Sequence, residues 1–195
     1  MKHLFSVVLV LLISMFACTK GCAEEILALP EELMYTVTHE KDCYLVCEQF
    51  LLHSENLEHT MPLDIEYHES TKSESFSFDD IKIGGTTYKR IHGEYASSSD
   101  SLPEYTVMLK YKCPFGEKPE DSEIFINTVR YYDQKYRQID IGPFARQMDE
   151  VGNSVSIHWR DDDTNARIML EYHNGDVSKG FFPHIEICIL RTSNQ

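Results

Sequence analysis

Apolar and polar residues alternate with period two along most of this chain. Leu63, Ile65 and Tyr67 alternate with Asp64, Glu66 and His68, and Tyr105, Val107, Leu109, Tyr111 and Cys113 alternate with Thr106, Met108, Lys110 and Lys112. The same rhythm places Val155, Ile157 and Trp159 between Ser154, Ser156, His158 and Arg160, and sets Ile168, Leu170 and Tyr172 between Arg167, Met169, Glu171 and His173. Successive side chains of an extended strand point to opposite faces, so this pattern describes strands with one buried and one wetted face, as in antiparallel sheets. Turn signals punctuate it at Gly84-Gly85, 97–101, Pro114-Phe115-Gly116, Gly142-Pro143, Gly152-Asn153 and Asn174-Gly175-Asp176. The spacing predicts nine to eleven strands, near 34–39, 44–52, 63–68, 74–83, 86–95, 104–112, 123–132, 136–141, 154–160, 166–173 and 184–190. Helical candidates are confined to 24–33, interrupted by Pro30, and to 144–151 after Pro143. The expected fold is all-β: a single antiparallel β-sandwich or barrel-like domain, with a sandwich preferred.

The first residues carry a different signal. Lys2 and His3 precede an apolar run from Leu4 to Ile13, and small residues at Gly21 and Ala23 suit cleavage before Glu24. Residues 1–23 therefore read as a signal peptide and 24–195 as one secreted all-β domain. No later stretch approaches the roughly 20 apolar residues of a membrane helix, so membrane insertion is not expected. The chain carries 32 acidic against 18 basic residues, a formal net charge of −14. Nucleic-acid phosphates and anionic lipid surfaces repel such a polyanion, and a basic protein attracts it.

An exported domain holding Cys43, Cys47, Cys113 and Cys188 is expected to oxidise them. Were the CYLVC segment a strand, Cys43 and Cys47 would lie about 13 Å apart. A disulfide needs Cα atoms within roughly 7 Å. Two long-range disulfides follow, joining this pair to Cys113 and Cys188 in an order the spacing leaves open.

Chemistry-bearing motifs are sparse. Asp161, Asp163 and Asn165 open like a calcium loop, but Ala166 stands where its glycine belongs and Tyr172 where its bidentate glutamate belongs. A polar hairpin turn accounts for these residues. No H-E-x-x-H or His-x-His pair sets two ligands on one strand face, so no metal site and no cofactor is expected. Neither a G-x-S-x-G elbow nor a phosphate-binding glycine loop is present, and no enzyme activity is expected.

Aromatic residues supply the remaining signal. Adjacent strand residues face opposite ways, so one member each of Tyr131-Tyr132 and Phe181-Phe182 is expected outside the core. The reading that follows is a secreted, non-enzymatic binding protein, an extracellular effector or decoy for a basic protein. Its contact surface is expected at Asp161, Asp162 and Asp163 beside Trp159, with Tyr131 or Tyr132. The alternative is a lipocalin-like carrier of a small apolar ligand, although the Gly-x-Trp of that family is absent.

Overall fold

The computed structural model describes residues 25–96, 103–114, 116–139, 154–175 and 182–192. The signal-peptide expectation at 1–23, the candidate helix at 144–151 and the turns at 97–101 and 142–143 lie outside these residues. So does Phe181.

Among the described residues, three helices and eight strands follow one another in the order α1 (Glu31–His39), α2 (Cys43–His53), β1 (Glu66–His68), β2 (Ser73–Ile83), β3 (Thr86–Ala96), β4 (Pro103–Lys112), α3 (Glu123–Lys135), β5 (Arg137–Gln138), β6 (Ser154–Arg160), β7 (Arg167–His173) and β8 (His184–Thr192). The strands form one open antiparallel sheet in the order β1-β2-β3-β4-β8-β7-β6-β5. The molecule is thus mostly β, as the alternation implied. The layer facing the sheet, however, is helical, and no second sheet forms among the described residues.

Three segments expected as strands are helices. In α2 the buried residues are Cys43, Val46, Cys47, Phe50 and Leu51. That i, i+3, i+4, i+7, i+8 series is an apolar stripe on one side of a helix. Asp42 starts it as an N-cap, its carboxylate accepting from the amides of Tyr44 (2.9 Å) and Leu45 (3.2 Å). In α1, Leu33, Met34, Val37 and Thr38 are buried, and Glu31 and Glu32 occupy the first turn, where carboxylates favour the helix dipole. In α3, Ile124, Phe125, Thr128 and Tyr132 turn inward.

The helices pack on one face of the sheet. Inward residues of β4 (Tyr105, Val107, Leu109), β8 (Ile185, Ile187, Ile189) and β7 (Ile168, Leu170, Tyr172) join Leu33, Val37, Val46 and Phe50 in a single core. Tyr105 fixes α1 to the sheet by donating its hydroxyl hydrogen to the carbonyl of Thr38 at 2.9 Å. Leu27 joins the segment before α1 to α3, its amide donating to Thr128 Oγ1 at 2.9 Å.

Strand β2 changes face midway. Phe76 is buried among even-numbered positions and Ile81 and Ile83 among odd-numbered ones, and between them Asp80 takes a left-handed backbone (φ 52°). Asn56, just after α2, holds this point from both sides: its amide donates to the Asp80 carbonyl (2.8 Å) and its oxygen accepts from the Lys82 amide (2.8 Å). Opposite Phe76 in the register is Gly93, where a Cβ atom would come within 2.3 Å of the Phe76 ring.

The disulfide expectation is corrected here. Cys43, Cys47, Cys113 and Cys188 are all buried free thiols. Cys43 and Cys47 sit one turn apart on the inner side of α2, whereas Cys188 alternates with the inward Ile187 and Ile189 and so lies on the far face of the sheet, between Met108 and Met169. Cys113 follows the end of β4 on the helical side. The sheet itself separates Cys188 from the other three.

Candidate functional site

The predicted contact residues divide between surface and core. Trp159 is fully buried, its indole N–H donating to Asp133 Oδ1 at 2.8 Å, and Tyr132 packs on it with ring centroids 5.4 Å apart. Neither presents its ring to a partner. Tyr131 is half-buried under the ammonium of Lys135, 4.7 Å from its ring centre. Because 123–132 is a helix rather than a strand, Tyr131 and Tyr132 diverge by a helical step instead of facing opposite ways.

The three aspartates lie in the turn between β6 and β7. Asp161 accepts from the Asp163 amide (3.0 Å) and the Thr164 hydroxyl (2.9 Å), and its carbonyl accepts from the Asn165 amide (2.8 Å). Its carboxylate is occupied in holding the turn, with Asn165 in the left-handed region (φ 62°). Asp162 and Asp163 are exposed, and Asp162 pairs with Arg137 at 2.9 Å.

A cleft of about 590 Å³ opens elsewhere, at the corner between α1 and α2. Its lining is His39, Glu40, Lys41, Asp42, Glu74, Tyr95 and Ala96. The chain must turn sharply from α1 into α2, which leaves the short polar run Glu40-Lys41-Asp42 outside both helices. Strands β2 and β3 supply the opposite wall, where Glu74 and Tyr95 are register partners. Lys41 is turned to Glu104 at 3.1 Å, so the basic member of the run is already paired. Tyr95 is buried and stacked on Tyr105 (5.6 Å), and its hydroxyl makes no hydrogen bond to a described group. Burial, with Cys43, Tyr105, Cys47 and Glu40 adding to it, holds the Tyr95 phenol well above its ordinary pKa. Tyr35 is exposed on α1 and stacks on the cleft's His39 (3.8 Å), and Tyr44 and Leu45, two and three residues after the cleft's Asp42, are exposed on α2. The cleft is thus acidic at its rim and aromatic in its wall.

On the far face of the sheet a second group of side chains converges. The register aligns Lys110, Glu186, Glu171 and Ser156 across β4, β8, β7 and β6, with His184 opposite His173 in the next row. The two imidazoles stack with centroids 4.6 Å apart and planes 19° from parallel. Glu186 Oε1 accepts from Lys110 at 2.6 Å and lies 3.1 Å from His184 Nε2. These two contacts, His184 first, hold its carboxyl down at about 2 against the opposing effect of burial. His173 Nε2 stands 3.4 Å from Glu171 and 3.9 Å from Glu186. Sequence reading passed over this group because its histidines come from different strands; the trace it leaves is the His184-x-Glu186 spacing, which puts both residues on one strand face.

Comparison with protein-family models, with curated proteins and with solved structures returns no match to this chain.

Proposed function

We propose that this protein is a secreted, non-enzymatic binding domain that engages a basic protein, and that the α1–α2 corner cleft receives a lysine or arginine side chain of that partner. The observation that carries this reading is the cleft's composition: Glu40, Asp42 and Glu74 at one opening, with Lys41 drawn off by Glu104. An ammonium or guanidinium entering there meets carboxylates at the rim and the Tyr95 hydroxyl in the wall, which has no other partner among the described residues. Exposed Tyr44, Leu45 and Tyr35 beside it offer the apolar area that supplies most interface affinity. The overall acidity steers the encounter. Asp163 adds to that field as an exposed charge, whereas Asp162 is offset by Arg137.

A catalytic use of the cysteines is disfavoured by their surroundings. Desolvation pushes the Cys43 thiol up to about 12 and Cys47 up to about 11, far from the thiolate a nucleophile requires. The apolar-carrier alternative would seat its ligand between sheet and helices. That space is where Phe50, Phe76, Tyr88, Tyr105, Tyr132 and Trp159 pack at full burial, so the cleft is preferred.

The test uses a blocked lysine-rich peptide and a blocked glutamate-rich peptide of equal length, followed by NMR. The lysine peptide is expected to bind with an affinity that falls as salt rises and to shift resonances of Glu40, Glu74 and Tyr95. The E40Q/E74Q double variant is expected to lose at least tenfold in affinity. Equal binding of the two peptides, or shifts confined to another surface, would remove the cleft from the function.

A further inference from the structure

We propose that the far face of the sheet carries a site for a borderline divalent transition ion of the zinc class, held by His173, His184 and Glu186 with Glu171 as fourth donor. The site lies across the sheet from the corner cleft and does not rest on the partner-binding reading. One ligand atom from each of His173, His184 and Glu186 falls within 4.8 Å of the others. Zinc bonds of 2.0–2.1 Å at tetrahedral angles put neighbouring donor atoms about 3.3 Å apart. Two pairs are already at that edge, His184 Nε2 to Glu186 Oε1 at 3.1 Å and His173 Nε2 to Glu171 Oε2 at 3.4 Å, and the second Glu186 oxygen, Oε2, lies 3.9 Å from His173 Nε2. The two imidazole donors lie within 4.8 Å of each other, so their closure to that edge is at most about 1.5 Å and lies within side-chain rotation.

The outer contacts are those a metal site uses to orient its ligands. His184 Nδ1 lies 3.1 Å from the Phe182 carbonyl, and a carbonyl only accepts, so this contact places a proton on Nδ1. Nε2, which faces the Glu186 carboxylate at 3.1 Å, is then the ring nitrogen offered to a proton or to a metal ion. His173 Nε2 is sealed from solvent and makes no well-aligned hydrogen bond, with the Glu171 and Glu186 carboxylates 3.4 and 3.9 Å away. Glu171 is steadied by the Ser156 hydroxyl at 3.2 Å, and Ser156 is in turn 2.7 Å from His158 Nε2. Glu171 and Glu186 are direct register partners, and like charges directly opposite destabilise a sheet. Lys110 offsets one of the two. A dication at this point would satisfy both imidazoles and both carboxylates.

Two imidazoles and carboxylate oxygen suit zinc, cobalt, nickel or copper, whereas calcium and magnesium take all-oxygen sets. The strand pairing holds the donors in register before any ion arrives. Lys110 is the competitor, since its ammonium occupies Glu186 Oε1.

The experiment titrates Co²⁺ into the chelator-stripped full chain and reads its visible d–d absorption, then adds Zn²⁺ or Ca²⁺. One equivalent of Co²⁺ is expected to give tetrahedral bands that Zn²⁺ abolishes and a large excess of Ca²⁺ leaves unchanged. H173A and H184A are each expected to weaken binding at least thirtyfold, with circular dichroism unchanged. K110M is expected to tighten it severalfold, a response that a purely structural role of the cluster would not produce. Uptake that survives H173A and H184A, bands that require Cys188 (read in C188S), or no uptake at all would each overturn the site.

Discussion

At the residue scale, the Phe76–Gly93 contact shows how one position can be decided by a neighbour across the sheet. Glycine is there because the Phe76 ring occupies the space a Cβ would take. Gly93→Ala is expected to cost about 2–3 kcal/mol, since neither ring nor strand can yield inside a packed core. Pairing it with Phe76→Leu should recover part of that loss, and urea denaturation of the two single variants and the double variant measures the coupling. The cysteines make a second prediction. Burial pushes Cys113 up to about 11 and Cys188 up to about 12, alongside the two thiols of α2. Iodoacetamide at neutral pH is expected to leave all four unmodified in the native protein and to label all four in denaturant without reductant. Failure to label them in denaturant would show that they are paired in solution. Trp159, in turn, answers to its hydrogen bond as well as its volume. Trp159→Phe is expected to destabilise by about 2 kcal/mol, with the Asp133 carboxylate losing its indole donor.

At the scale of elements, α2 deserves its helix for reasons that the residues state once the right period is applied. Cys43, Val46, Cys47, Phe50 and Leu51 line one side, while Tyr44, Leu45 and Leu52 face outward. The same segment read in steps of two looks like a buried strand because apolar residues occupy nearly every position, which leaves periodicity without contrast. Asp42 is the local signal that resolves it, a capping residue directly before the apolar run. Asp42→Ala is therefore expected to cost about 1 kcal/mol, read as a lower urea midpoint. The connection after α2 does comparable service for β2. Asn56→Ala would strand the Lys82 amide and the Asp80 carbonyl at the point where the strand changes face, for a further loss of about 1 kcal/mol. Amide exchange of Lys82 is expected to rise more than that of residues in β7.

At the scale of the molecule, one core joins all three helices to the sheet, so unfolding is expected to be a single transition. Fluorescence of the lone Trp159, near α3 and β6, should lose its native signal at the same denaturant concentration as the far-ultraviolet dichroism. Separate midpoints would mean that the α1–α2 unit opens independently.

The strands of this sheet were legible in the sequence because each carries one wet and one dry face, and that contrast survives without knowledge of neighbours. Strands 86–95, 104–112, 154–160, 166–173 and 184–190 lie within a residue or two of their observed bounds. The acidity and the turn at Asp161 were equally legible, being matters of composition and local hydrogen bonding. The helical second layer was harder to read, since α1, α2 and α3 are short, apolar residues fill both sides of α2, and only its capping Asp42 marks it locally as a helix. The fate of the cysteines followed from that layer, because the sheet came to stand between Cys188 and the others. Both candidate sites also belong to the tertiary structure. Glu40 and Glu74, or His173 and His184, are unremarked residues along the chain, and it is the turn between two helices and the register of two strands that bring each pair together.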